Sequence, residues 1–275
     1  MKIEQMKDKL ELTGSGLRLH FLGTGSAFTK KNYQNNLLVI KGDSHVMIDF
    51  GTMASQAFMK KGHMVTDINA FLITHQHADH IGGLEEVALM GRYFAQKKPD
   101  LILPNFFTKQ LWQESIKGGI AYNENPHLKL KDVFNIIKAK QILGFDRPVY
   151  EVDYKGLNLK IFKTNHIPGT AKTLKEANWS SGVLIDNRIL FTADTKFDLD
   201  LLEKFDEKFK LDLIIHDCQL FTGGVHASYE ELKTLPKTLK KKMLLSHYGD
   251  NWEQFHPEEE GFIGFSSPDV YYCFD

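Results

Sequence analysis

The stretch Thr74-His75-Gln76-His77-Ala78-Asp79-His80-Ile81-Gly82-Gly83 constrains this chain more than any other. Four nitrogen or oxygen donors, His75, His77, Asp79 and His80, fall within six residues. They directly follow the apolar run Ala70-Phe71-Leu72-Ile73, which reads as a buried strand. Alternate residues of an extended chain project to the same side, so His75 and His77 point together. The chain must then turn, which brings Asp79 and His80 toward a second point close to the first. Three imidazoles and a carboxylate so concentrated would be costly to bury without a cation. The bland alternative is a solvated, histidine-rich turn.

Taken in order, the chain repeats one habit. Residues 1–16 read as a short tail. Leu17 to Leu22 alternates as a first strand and leads into the tight loop Gly23-Thr24-Gly25-Ser26. That loop is a weak phosphate-cradle pattern; the plainer reading is glycines that let another loop approach closely. Asn36 to Lys41 and His45 to Phe50 read as a hairpin around Gly42-Asp43-Ser44. Asp49, at the end of that hairpin, either orients a ligand histidine or caps the helix that begins near Thr52. Residues 53–61 and Gly83 to Gln96 fit helices. Leu101 to Pro104 fits a short strand, Phe106 to Lys117 a helix, Gly118 to His127 a loop and Asp132 to Ile142 a further helix. Residues 97–150 are expected to form an insert or lid; plain packing on the sheet is the alternative. Strands return at 157–163, 181–185, 188–192, 211–215 and 242–245, with a helix at 228–235. Just past the ends of such strands stand His166, Asp194, His216-Asp217 and His247.

Seven donors are therefore in play: His75, His77, Asp79, His80, His166, Asp194 and His247. They exceed the needs of one tetrahedral zinc but suit two ions that share a ligand, and a carboxylate is the side chain suited to sharing, which points to Asp194. His226 lies in a Gly223-Gly224-Val225-His226 loop and is either catalytic or a solvent-exposed helix-terminal residue. His216 and Asp217 either orient ligands or bond loop backbone. Cys218 reads as a small buried hydrophobe. His20, His45, His63, His127 and His256 read as surface or structural residues, and the lysines of 237–242 as a solvated face.

Composition removes several classes. Among 275 residues, a formal net charge of −1 gives no support to a strongly basic nucleic-acid binder. Two cysteines, Cys218 and Cys273, make no disulfide framework, so a reducing compartment is expected. Met1 to Leu12 has no secretory pattern, and no apolar run reaches the roughly 18 residues of a membrane span. The expected localisation is the cytoplasm, with no membrane partner.

The pattern His75-x-His77-x-Asp79-His80 followed by His166, Asp194 and His247 resembles the metallo-β-lactamase superfamily over roughly residues 17–250. The resemblance implies a four-layered αββα sandwich of the α/β class, formed by 1–275 as a single domain. It implies that His75, His77 and His166 hold one metal, that Asp79, His80 and His247 hold the second, and that Asp194 bridges them. Zinc is the first expectation, with manganese, iron or cobalt as alternatives. The histidine at 77 departs from the acidic residue of oxygen-reducing diiron members. Asp194 departs from the cysteine of the common zinc lactamases. Phe21-Leu22-Gly23-Thr24-Gly25-Ser26 and Thr192-Ala193-Asp194-Thr195 are similar to segments of ribonuclease Z-like phosphodiesterases, and Val225-His226-Ala227-Ser228 lies near their H-S-T motif. No Gly/Pro-rich arm for clasping tRNA is present.

The expected activity is hydrolysis of a phosphodiester by a dinuclear, metal-bridged hydroxide, with Asp79 and His226 as catalytic residues. The expected substrate is a cyclic nucleotide or cyclic dinucleotide. Alternatives are an endoribonuclease acting on RNA 3′ ends, a lactone or thioester hydrolase, and a non-catalytic nucleotide-sensing module. Expected partners are a small phosphodiester, RNA as an alternative, and a second copy in a homodimer.

Overall fold

The computed structural model describes residues 1–7 and 9–275. The chain divides into two compact units. The amino-terminal unit comprises Lys2–Gly23, Tyr33–Lys140 and Pro268–Asp275; the carboxy-terminal unit comprises Met1, Thr24–Asn32 and Gln141–Ser267.

The strands of the amino-terminal unit are β1 (Lys2–Gln5), β2 (Gly14–Gly23), β3 (Asn36–Gly42), β4 (Ser44–Ile48), β5 (Ala70–Leu72), β6 (Asp100–Pro104), β7 (Asn135–Ile142) and the last strand of the chain, β15 (Val270–Phe274). Their order is β1-β15-β2-β3-β4-β5-β6-β7. Pairing is antiparallel from β1 to β4 and parallel from β4 to β7. The apolar runs Leu37–Ile40 and Val46–Ile48 are wholly buried, which suits strands covered on both faces. Phe50 meets Phe71 edge-on at 5.3 Å between ring centroids, and Phe21 meets Tyr272 at 5.9 Å. Helices Ala54–Lys60, Leu84–Met90 and Asn105–Leu111 occupy the connections between the parallel strands.

The carboxy-terminal unit holds β8 (Val149–Tyr154), β9 (Leu157–Lys163), β10 (Ser181–Ile185), β11 (Ile189–Phe191), β12 (Leu213–Asp217), β13 (Met243–Ser246) and β14 (Gly264–Phe265), in that spatial order. Pairing is again antiparallel first, from β8 to β11, then parallel from β11 to β14. The helix Leu199–Phe209 packs Leu201, Leu202 and Phe205 into a core with Phe162, Leu184, Ile214 and Leu245. Its first turn is closed by Asp198, whose carboxylate accepts from Leu201 N at 3.0 Å. The helix Tyr229–Lys233 starts with a capping box between Ser228 and Glu231.

Four local expectations need correction. Residues 1–16 are not merely a tail, because Lys2–Gln5 pairs with Val270–Cys273. Asn135–Ile142 is a strand rather than a helix; its β-branched pair Ile136-Ile137 extends β6 in parallel register, and only the turn Leu130–Val133 is helical. The 118–127 stretch, expected as loop, holds helical turns at Lys117–Ile120 and Ala121–Asn123. Lys240 is buried rather than solvated and donates to the Lys233 carbonyl at 3.0 Å. The plain reading of Gly23 holds: a Cβ there would come within 2.3 Å of the Tyr33 backbone.

Candidate active site

In the amino-terminal unit the site is built on Asp49, which directly follows β4 in a left-handed conformation with φ 62°. Its carboxylate is fully buried. It accepts from Thr74 N at 2.8 Å, from Thr74 Oγ1 at 2.7 Å and from His80 Nδ1 at 2.7 Å. The orienting reading of Asp49 therefore holds. The helix it might have capped begins at Ala54 without a side-chain cap. With Nδ1 held, His80 presents Nε2 to Asp79 Oδ2 at 3.1 Å. His75 Nδ1 lies 3.1 Å from Thr74 Oγ1, and its Nε2 lies 3.0 Å from His77 Nδ1. The His75 and His80 rings are 4.0 Å apart. The four donors of the motif thus meet, as the extended-then-turned chain requires.

The backbone at this point is tight. A Cβ on Gly51 would fall 2.1 Å from the Asp79 carbonyl oxygen, so only glycine lets the motif pass. Asn36 ties the two segments together, accepting from Gly51 N at 3.1 Å and donating to the Asp79 carbonyl at 3.3 Å. Gln76, between the two histidines, donates to Ser115 Oγ at 2.8 Å and accepts from Gln110 Nε2 at 2.9 Å. Part of the 97–150 segment therefore buttresses the motif directly. No local signal marks Gln110 or Ser115 for this task in the sequence.

In the carboxy-terminal unit the equivalent anchor is Asp217, at the end of β12. Asp194, Asp217, His226 and His247 offer donor atoms that all lie within 4.8 Å of one another, a spacing that could hold a cation. His226 Nδ1 is 2.6 Å from Asp217 Oδ2, which also accepts from Thr195 N at 3.0 Å. His247 Nδ1 is 3.3 Å from Asp217 Oδ1, and its Nε2 is 3.6 Å from Asp194 Oδ1. His166 Nδ1 donates to the Val225 carbonyl at 3.0 Å, and its Nε2 lies 3.7 Å from Asp194 Oδ2. Both readings of Asp217 hold, since it bonds two imidazoles and loop backbone. Ala193 and His247 take left-handed backbone, φ 48° and 59°, where β11 and β13 end. Such conformations are uncommon for residues with a Cβ and cluster where side chains are aimed at a site.

The electrostatics of the two anchors differ. Burial pushes Asp49 above the usual carboxylate range, and His80 and Thr74 only partly oppose it. Burial also acts on Asp217, but His226 and His247 outweigh it and hold Asp217 below its ordinary value. His226 resists charging because it is buried, yet the Asp217 and Asp194 carboxylates raise it above its ordinary range. Burial lowers His166, against the pull of Asp194.

The donor set fits divalent cations. His80, His166 and His247 each tie Nδ1 to a carboxylate or a backbone carbonyl and aim Nε2 at a carboxylate, the arrangement that fixes tautomer and direction in metal-ligating histidines. His226 differs in being partly open, 18% exposed, at the edge of a cavity of about 300 Å³ that His247 also lines.

The remaining candidates are structural. Cys218 is buried, and that burial pushes its thiol well up, as expected of an inert hydrophobe. His216 is buried with Nδ1 2.7 Å from the Asp217 carbonyl. His20, His45, His63 and His127 bond backbone carbonyls of Val270, Leu12, Leu10 and Glu124.

A family model described as Anti-Pycsar protein Apyc1 matches residues 17–272. The chain belongs to the Apyc1 family. One Apyc1-family relative, the Anti-Pycsar protein Apyc1 of Paenibacillus xerothermodurans, is 34% identical over 240 residues, covering 87% of this chain and 90% of the relative. Among solved structures, the metallo-β-lactamase-fold protein YhfI of Bacillus subtilis is similar at a TM-score of 0.68 and 14% identity, covering 94% of this chain and 100% of that one. The short form of human tRNase Z is similar at 0.63 and 17% identity, over 93% and 98% of the two chains. These two likenesses establish the metallo-β-lactamase fold, as the histidine motif implied. With its Apyc1 relatives and its His/Asp clusters, the chain is a metallo-hydrolase. No helix among the described residues is long and apolar enough to cross a membrane.

Proposed function

We propose that this chain hydrolyses the phosphodiester of a cyclic nucleotide. In this reading the chain is one metallo-β-lactamase-fold domain that would hold two divalent ions. His75, His77 and His166 would hold one ion and Asp79, His80 and His247 the other, with Asp194 available to both. When bound, the ions supply an acidified water as nucleophile and neutralise charge on the phosphoryl oxygens. Asp79, besides holding metal, would serve as a proton acceptor there. Asp49 and Asp217 hold imidazoles in the tautomer that leaves Nε2 for its task. His226, with Nδ1 on Asp217, donates a proton from Nε2 to the departing sugar oxygen.

The observation that carries this reading is the 2.6 Å pair between His226 and Asp217 beside Asp194 and His247. A carboxylate-backed imidazole is a proton donor matched to an alkoxide leaving group. The reading gains support from the match of residues 17–272 to the family model described as Anti-Pycsar protein Apyc1. The test is a substrate panel with Mn- or Zn-loaded protein: cyclic mononucleotides, cyclic dinucleotides, a lactone and a thioester. Turnover of a cyclic nucleotide is expected. Turnover of the lactone or thioester alone would overturn the phosphodiesterase reading.

A further inference from the structure

Two phenylalanines of the carboxy-terminal unit stand in water where burial would be favourable. Phe28 is 87% exposed and Phe221 is 68% exposed. A solvated phenyl ring forgoes the free energy of burial, and single cases are common on any surface. These two are not scattered. Both line the cavity of about 300 Å³ that also contacts Ala27, Leu220, His226 and His247. That volume is at the small end of the range for ligand pockets.

Each ring is carried on a loop that a polar residue pins in place. Asp250, three residues after His247, accepts from Thr29 Oγ1 at 2.5 Å, from Lys30 N at 2.7 Å and from Lys31 N at 3.1 Å. Ser26 N donates to the Tyr248 carbonyl at 3.0 Å. The loop bearing Phe28 is thus fastened on both sides of the ring to the segment that follows His247. The other loop is pinned from inside. Gln219 Nε2 donates to the Phe221 carbonyl at 2.8 Å and also to the Gly223 carbonyl, while Gln219 N donates to the Ala227 carbonyl at 2.8 Å. The loop bearing Phe221 is therefore fastened at the residues flanking His226. Both exposed rings are held by the elements that place the proton donor and one proposed metal ligand.

We infer that Phe28 and Phe221 form an aromatic clamp that takes the nucleobase of the substrate by stacking while its phosphodiester lies at His226 and His247. A flat, weakly hydrated aromatic ligand is the occupant that suits two exposed phenyl rings beside a phosphate-directed acid. The pinning of both loops means that little order is lost on binding. This inference rests on the phosphodiesterase reading for the identity of the ligand and goes beyond it in naming what holds the base.

The test uses metal-loaded protein carrying Phe28→Ala, Phe221→Ala or both. Substrates are a cyclic mononucleotide and the same sugar cyclic phosphate without its base. The single variants should raise KM for the nucleotide about five- to tenfold, and the double variant more, with kcat within about threefold, as base–aromatic stacking implies. The base-free substrate should be hydrolysed alike by all four proteins. Equal KM effects on both substrates, or none on either, overturn the clamp while leaving the hydrolytic reading intact. Binding of a nucleoside monophosphate, measured by calorimetry, separates the two ideas if the wild type turns over no cyclic nucleotide. Loss of that binding in the double variant then supports the clamp although the hydrolytic reading fails; unchanged binding sinks both. A wild-type oligomer that dissociates in the double variant would make the rings an interface and overturn the clamp.

Discussion

The amino-terminal and carboxy-terminal units solve one problem in two ways. Each buries an aspartate at or just past the end of a strand, and each aspartate holds the Nδ1 of an imidazole. Around Asp49 the donors His75, His77, Asp79 and His80 come from six consecutive residues. Around Asp217 the donors His166, Asp194, His226 and His247 come from three separate strand ends and one loop. The compact group is fixed largely by its own chain geometry, an extended pair followed by a helical turn. The dispersed group depends on a sheet that sets β9, β11, β12 and β13 in register. The electrostatics follow the same division. Asp49 faces one imidazole and is pushed up by burial, whereas Asp217 faces two and is held down. The first suits a group that only orients a ligand. The second suits one that backs a proton donor.

The largest expected effect comes from the dispersed group. Asp194→Ala should lower turnover by at least about 10³-fold and reduce bound metal, because a proposed shared ligand is lost. Metal analysis and steady-state assays on folded variant check this. Normal metal content with normal turnover would refute the ligand assignment. Next, His226→Gln should lower kcat by roughly 10²–10⁴-fold while metal content stays unchanged. If metal is lost instead, His226 is a ligand rather than an acid.

A finer break separates the two anchors. Asp49→Asn should weaken metal affinity about 10–100-fold, and excess metal should restore activity. Asp217→Asn should lose activity that excess metal does not restore, since His226 then lacks its carboxylate. A metal titration of both variants decides. Identical rescue would erase the distinction drawn between them.

The smallest effect concerns stability rather than catalysis. His20 is buried against β15, and burial lowers its pKa to about 4 from 6.5. The unfolded chain therefore binds the proton first. The stabilising contribution is full above pH 6.5 and is lost as pH falls toward 4, a difference of about 3 kcal/mol at most. Urea unfolding at pH 7, 5.5 and 4 should show a shallower loss for His20→Gln than for wild type.

The compact group was legible in the sequence because its spacing alone dictates geometry. The strand-end positions of His166, Asp194 and His247 were legible too, since each closes an apolar run. The role of Asp49 was not, because an aspartate before a helix has the same local pattern whether it caps or orients. Only its contacts with Thr74 and His80, 25 and 31 residues away, decide. Asp217 was ambiguous for the same reason. Asn135–Ile142 misleads because Val133, Ile136 and Ile137 also fit a helical period, and parallel pairing with β6 overrides it. The helix Leu199–Phe209 carries a clear apolar period in Leu201, Leu202 and Phe205. Phe28 and Phe221 could not be distinguished from core residues, because exposure is a property of the folded loops.

The most direct test of the account is turnover of a 3′,5′-cyclic mononucleotide by metal-loaded wild type beside Asp194→Ala. The wild type is expected to convert it to the mononucleotide, and the variant to give no product above background. An inert wild type, or a variant as active as the wild type, would contradict it.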